Sequence, residues 1–319
     1  MKKSGLVLIF VMLVLLLIPV INAGLLDWFK GIITGRATTG TSAANITVGN
    51  TAPTVLQITG IANQDPTEAG VRNVTFEANI SDVDGTGNIN GVRGSFTRGS
   101  ERVVNLSCIL VANVNATLAR YQCTVGLNYF NANGAFNINV TAYDAAVASG
   151  VNTTDNYFTF NSLKAFVIGT NTSTAGLAWP TVTLISTNQT SNNDPLVLNN
   201  TGNANMSVGG INLTSINLFG EVTGTQYLTV SNMSVHTSTG GSCSGAGCDE
   251  CGGNVSLVNA TSVVVTLANM TKGNNTVNAG DTTSGQEQLY FCLRGIGSTA
   301  TAQQSYSTNA AGAWTVTIT

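Results

Sequence analysis

Apolar and polar residues alternate one by one along much of this chain. In GAFNINVTAYD, Phe136, Ile138, Val140 and Ala142 alternate with polar neighbours, the period of a strand with one buried face. Segments of the same kind recur from Thr51 to Ser162: TVLQITGIA, RNVTFEANIS, INGVRGSFTR, ERVVNLSCILV, LARYQCTVGL, GAFNINVTAYD and NYFTFN. Turn residues separate them at short, regular intervals. From Leu163 to Thr319 the pattern is looser but still strand-like, in LAWPTVTLIST, LVLNNTGNANMSV, INLTSINLFGEV, QYLTVSNMSVH, TSVVVTLANM, QLYFCLRGI and AWTVTIT. Only GLLDWFKGIITGR, where Leu25, Leu26, Trp28, Phe29, Ile32 and Ile33 fall at near-helical spacing, breaks the rule.

Seven short strands in about 110 residues predict an immunoglobulin-like β-sandwich. The expected fold class is therefore all-β, two tandem Ig-like β-sandwich domains after an N-terminal leader. The expected boundaries are residues 1–23 for a signal peptide and 24–50 for a short amphipathic segment and linker. Residues 51–162 make the first sandwich and 163–319 the second.

The leader follows from MKKSGLVLIFVMLVLLLIPVINA. Lys2 and Lys3 form a basic start, Leu6–Ile18 an apolar run, Pro19 a helix break, and Ala23 a small residue at a cleavage position. That order is the layout of a secretory signal peptide. Two alternatives stay open: a retained leader acting as membrane anchor, and, from KKSG before the apolar run, a prepilin-type leader whose helix becomes a filament core. Residues 24–36 suit an amphipathic helix on a membrane surface or a neighbouring subunit. Membrane contact is expected only through the leader or these residues, and the expected location is the cell exterior.

Charged residues make up 8% of the chain, with a formal net charge of −3, against a usual share of about 25%. Outside the leader the lysines are Lys30, Lys164 and Lys272. So little basic surface excludes an electrostatic footprint for nucleic acid. Weak repulsion between copies also removes a barrier to self-association.

Cys243, Cys248, Cys251 and Cys292 reproduce C-x4-C-x2-C…C, the ligand spacing of a plant-type two-iron, two-sulfur cluster. Export argues against it, because cysteine pairs become disulfides in an oxidising exterior. A zinc site is the remaining alternative. Cys108 and Cys123 make the better-defined pair: a hairpin turning at Asn115–Ala116 sets them opposite each other, at cross-strand spacing that suits a disulfide. Cys292 is expected to tie the Gly-rich cysteine loop to the strand EQLYFCLRG, with its partner among the other three open.

Candidate chemistry is sparse. His236 is the one histidine and reads as an exposed strand residue; no HExxH or GxSxG motif accompanies it. Asp82/Asp84 and Asp249/Glu250 are paired carboxylates of the kind glycoside hydrolysis uses, but both lie in Gly-rich turns that favour Asp anyway. The sharper reading of DVDGTGNIN is a calcium site, with Asp82, Asp84, Asn88 and Asn90 supplying hard oxygens. No other cofactor is expected. An isopeptide link from Lys164 or Lys272 to an asparagine is a further option.

The densest signal is N-x-S/T. It begins at Asn45, Asn73, Asn79, Asn105, Asn115, Asn139, Asn152, Asn171, Asn188, Asn199, Asn205, Asn212, Asn232, Asn254, Asn259, Asn269 and Asn274. The motif marks N-glycosylation acceptors. It also marks a polar sheet face, since residues i and i+2 share one side of a strand. Both readings set these asparagines outward.

The SDVDG turn and the closing FNINVTAYDAAVASG resemble the Ig-like and PKD-like modules common in archaeal exported proteins. The NNTGN turn, YFCLRG, YSTNAAGAWTVTI and ITGR resemble segments of archaeal surface proteins. The resemblance implies a surface location; with the leader, the low charge, the all-β pattern, the dense sequons and the missing catalytic set, the expected function is a non-enzymatic glycosylated surface protein, a surface-layer or appendage (filament) subunit with an adhesion role. Its partners would be further copies, other envelope proteins, or a glycan or partner-cell surface. The rivals are a monomeric glycan- or cell-binding adhesin, for which Tyr129 and Phe130 in LNYFNANG offer an aromatic tip, and an extracellular hydrolase.

Overall fold

The computed structural model describes residues 45–152, 156–168, 176–237, 254–273, 285–309 and 312–319. The leader, residues 24–36, Asp249, Glu250, Cys243, Cys248, Cys251, Asn171 and Asn274 lie outside the described residues. By its contacts the chain divides into a unit ending at Gly49 and one from Asn50 to Thr319. Of the first unit the described part, residues 45–49, is exposed and forms no strand.

The first half of the larger unit contains β1 (Thr54–Ile58), β2 (Val71–Ser81), β3 (Ile89–Arg98), β4 (Glu101–Asn105), β5 (Ile109–Asn113), β6 (Leu118–Asn128), β7 (Gly134–Asp144), β8 (Ser149–Val151) and β9 (Tyr157–Phe160). One sheet runs β1-β2-β6-β5; the other runs β4-β3-β7-β8, with β9 also on β7. All pairings of named strands are antiparallel.

The alternation read from β7 is borne out: Phe136, Ile138, Val140 and Ala142 are fully buried. They join Phe76, Ala78 and Ile80 of β2, Phe96 of β3 and Cys123, Val125 and Leu127 of β6 in one core between the two sheets. Phe158 packs edge-on to Phe96, with centroids 4.7 Å apart, and stacks on Phe136 at 5.9 Å. Each buried phenylalanine contributes about 1.5–3 kcal/mol through burial.

ERVVNLSCILV differs from the expectation of one strand. It forms β4 in one sheet and β5 in the other. The chain changes sheet at Leu106–Cys108, where the Asn105 Oδ1 accepts the Ser107 N–H at 2.9 Å and the Cys108 N–H donates to the Val92 carbonyl of β3.

The second half contains β10 (Phe166–Ile168), β11 (Thr187–Thr190), β12 (Leu196–Asn200), β13 (Ile211–Ser215), β14 (Leu218–Gly220), β15 (Tyr227–Leu228), β16 (Met233–Thr237), β17 (Val255–Ser256), β18 (Thr261–Val264), β19 (Gln286–Gly295), β20 (Tyr306–Ser307) and β21 (Thr315–Ile318). A six-stranded sheet runs β10-β12-β19-β16-β17 with β11 on β19, beside two three-stranded sheets, β18-β13-β21 and β15-β14-β20. LAWPTVTLIST departs from the strand read in it: no strand forms before Thr187 in that stretch. Pro180 has no N–H to give a ladder, and Leu177, Trp179 and Val182 instead pack as irregular cover on the second core.

The two cores meet at the turn after β12, and the NNTGN turn occupies that junction. Asn203 is buried; its Oδ1 accepts the Leu163 N–H at 2.7 Å and its Nδ2 donates to the Asn161 carbonyl at 2.8 Å. The Thr201 hydroxyl donates to Glu68 at 2.8 Å, and the Ala69 N–H donates to the Thr201 carbonyl. A loop buried in this way is stable because its polar groups find partners.

Candidate functional site

Cys108 and Cys123 form the disulfide read from the hairpin, with Cα atoms 4.4 Å apart. The ladder pairs Ile109 with Gln122, so the two cysteines are the next facing pair. Cys292, buried in the middle of β19, is also disulfide-bonded. No cysteine is free among the described residues.

The Asp82 turn gathers more groups than its own sequence shows. Asp82 is buried; its Oδ1 accepts the Asp84 N–H at 2.9 Å and its Oδ2 accepts the Asn88 side chain at 3.2 Å. Asp84 accepts the Thr51 N–H at 2.7 Å. Asn88 also donates to Asn50 at 3.3 Å, and Asn50 donates to the fully buried Asp144 at 2.6 Å. The second Asp144 oxygen takes the Ala148 N–H at 2.8 Å.

Three of the four residues read as calcium ligands thus come together, joined by Asn50 and Asp144. Asn90 stands apart, exposed, at the irregularity between Ile89 and Gly91 in the β3–β7 ladder. Among the described residues no three His, Cys, Asp or Glu side chains are grouped to hold a metal. The carboxylates face N–H donors of their own chain.

His236 differs from its reading as an exposed residue. It is 3% exposed, because all five residues of β16 are buried. Its ring stacks on Tyr290, planes 11° apart and centroids 5.6 Å apart. Burial and the Arg294 charge hold the imidazole below its usual range, opposed by a hydrogen bond with Asn254. Nδ1 has no hydrogen-bond partner among the described residues.

Two carboxyls of the second half, the buried Glu287 and the half-buried Asp194, carry shifts that were missed at the level of sequence. Burial pushes Glu287 up from 4.5 to about 7, although the Asn269 and Gln288 N–H groups pull it down. Burial likewise pushes Asp194 up from 3.8 to about 6, against hydrogen bonds from Ser191 and Phe291. Glu287 had a legible signal. In QEQLYFCLRG it has the parity of Leu289, Phe291 and Leu293, which form the buried side of β19. Tyr290, and with it His236, belongs to the opposite face. The sheet therefore separates the imidazole from Glu287, so this pair does not converge on a common reacting atom.

Tyr129 is 5% exposed and the Phe130 carbonyl receives the Lys272 ammonium at 3.2 Å. This pair lies where the halves meet and does not form an exposed aromatic tip. Lys164 donates to the Thr319 carbonyl at 2.6 Å. Both lysines read as isopeptide donors are thus engaged with backbone carbonyls.

The sequons show the clearest sorting. Of the seventeen, the fifteen among the described residues are all half-buried or exposed. The buried asparagines are Asn131, Asn200 and Asn203, none of which begins N-x-S/T. At Asn115, Asn205 and Asn259 the side-chain oxygen accepts a backbone N–H, from Leu118, Lys272 and Asn217 respectively. That bond fixes the amide and leaves Nδ2, the nitrogen that glycan would modify, outside it.

No protein-family model matches the chain, and no curated protein matches it. Among solved structures, a secreted serine protease, VesC from Vibrio cholerae, aligns with a TM-score of 0.19 and 9% identity, over 80% of this chain and 51% of that one. The chain thus spans about half the length of that protein. A likeness at that TM-score carries no inference about fold or activity.

Proposed function

We propose that this chain is a non-enzymatic, N-glycosylated cell-surface protein built of two tandem Ig-like β-sandwiches, and that it serves as a structural subunit of an envelope layer or appendage. The observation that carries the reading is the sorting of asparagines: each described sequon is at least partly open to solvent, whereas the buried asparagines lie outside sequons. The basic and apolar leader supports export. The low charge supports close association of copies. Two disulfide-bonded positions, Cys123 and Cys292, each buried in a long strand, suit an oxidising exterior.

The rival reading as a monomeric glycan-binding adhesin has less support from its named feature, because Tyr129 is buried and Phe130 half-buried. Peptide mapping of protein released from its own cells tests the proposal. Glycan-bearing peptides at Asn115, Asn205 or Asn259 are the expected result. Recovery of every sequon peptide at its unmodified mass would overturn it.

A further inference from the structure

The sheet β1-β2-β6-β5 ends in β5, and this edge is unlike the others of the first half. Among the described strands β5 pairs with β6 alone. It exposes Ile109, Leu110 and Val111, flanked by Leu106 at 69% and Val114 at 56% exposure. No charged residue occurs from Leu106 to Ala119. Open strand edges normally carry charges, proline or cover that prevent pairing with another chain.

The remaining edges have such protection. β4 carries Glu101 and Arg102. β9 is met by Gln64, whose N–H donates to the Thr159 carbonyl and whose own carbonyl accepts the Asn161 N–H. At β1 the lead-in is pressed against β8: a Cβ on Gly150 would lie 1.8 Å from the Pro53 carbonyl oxygen. Among the described strands of the first half, β5 alone combines an open ladder, apolar side chains and absent charge.

The chain also carries a segment with the matching need. Residues 45–49, NITVG, are exposed and belong to no strand. Ile46 is 84% and Val48 86% exposed. Once paired as a strand, residues i and i+2 share a face, so Ile46 and Val48 would form one apolar side and Asn45 and Thr47 the other. A glycan on Asn45 would point away from a strand partner. The segment has no charge and precedes β1 in the chain.

We propose that residues 45–49 of one copy add as a strand to the open edge of β5 in a second copy, so that copies join head to tail. Main-chain hydrogen bonds supply the affinity in strand addition, and alternate side chains supply the fit. The bulge between Leu110 and Ala112 keeps the acceptor short, which suits a short donor. Donor and acceptor are different segments of one chain. The contact is therefore heterologous and leaves a free donor and a free acceptor on every pair, the arrangement that extends into rings or filaments. The inference deepens the assembly reading above and rests on it.

The test places a photoreactive benzoylphenylalanine at Val48 in full chain labelled with nitrogen-15, mixed with unlabelled chain carrying the native Val48. After irradiation, the tryptic peptides are read by mass, with sedimentation run in parallel. The expected product joins residue 48 of the labelled copy to the unlabelled peptide that lies between Arg102 and Arg120 and contains β5. Val111→Lys in the acceptor, with its melting temperature unchanged, should lower the yield at least tenfold. Copies that assemble with residue 48 attached elsewhere, or only within its own copy, would overturn the strand addition and leave the assembly reading standing. Copies that stay monomeric in sedimentation would overturn both.

Discussion

Gly94 of β3 faces Cys123 of β6 across the first core so closely that a Cβ at Gly94 would stand 3.0 Å from the Cys123 Cβ and 2.9 Å from the tip of the Phe76 ring. The phenyl ring has some freedom to swing away. Cys123 has little, because it is fixed by its strand and by its bond to Cys108. Overpacking at such a contact costs about 1–3 kcal/mol. Gly94→Ala should lower the unfolding free energy by that amount, measured by denaturant titration with the disulfide intact.

The disulfide closes a loop with a sequence separation of 15. In the chain-entropy picture a loop of this length is worth about 3 kcal/mol. Replacing both Cys108 and Cys123 by alanine should therefore destabilise the protein by about 3 kcal/mol, read from the same titration.

Stability should also depend on pH through Glu287. Its carboxyl is raised in the folded protein from 4.5 to about 7 by burial, so between these values the folded state holds more protons than the unfolded one. Stability from this group is fully present below about 4.5 and is lost as pH rises through about 7. Asp194, raised from 3.8 to about 6, acts in the same direction over a lower window. His236 is held below 6.5 and works in the opposite sense, weakening the fold on acidification. Comparing wild type with Glu287→Gln isolates the first effect: the wild type's relative stability should decline from pH 5 to pH 8 across the window that the Glu287 shift defines.

The Asp82 turn gives a fourth expectation. Asp82 satisfies the Asp84 N–H and the Asn88 amide, and hydrogen bonds to a charged group contribute about 1.5–3 kcal/mol each. Asp82→Ala should destabilise the first half by about 2–3 kcal/mol on that scale. Because its oxygens already face donors of the chain, millimolar calcium should leave the melting temperature of the wild type unchanged. A rise of several degrees with calcium would show that a cation displaces those donors.

What the sequence made legible was local. The period-2 run in β7 was correctly read because each apolar residue met the same core. The Cys108–Cys123 pair was legible because both cysteines flank one turn. The split of ERVVNLSCILV was hidden, since apolar residues continue across the sheet change while the polar signal there is a single Asn105–Ser107 hydrogen bond.

His236 was misread for a different reason. NMSVHTST looks half-polar, yet β16 lies inside a six-stranded sheet and is buried on both faces, where alternation loses its meaning. The extension of the Asp82 turn to Asp144 by way of Asn50 depends on a contact across 94 positions. No local pattern announces a contact of that kind.

We propose above all a glycosylated surface subunit that assembles with its own kind. Negative-stain electron microscopy of the native protein, released gently from its cells, tests it most directly. Filaments or a lattice with a regular repeat are the predicted result. Discrete single particles at every concentration would contradict it.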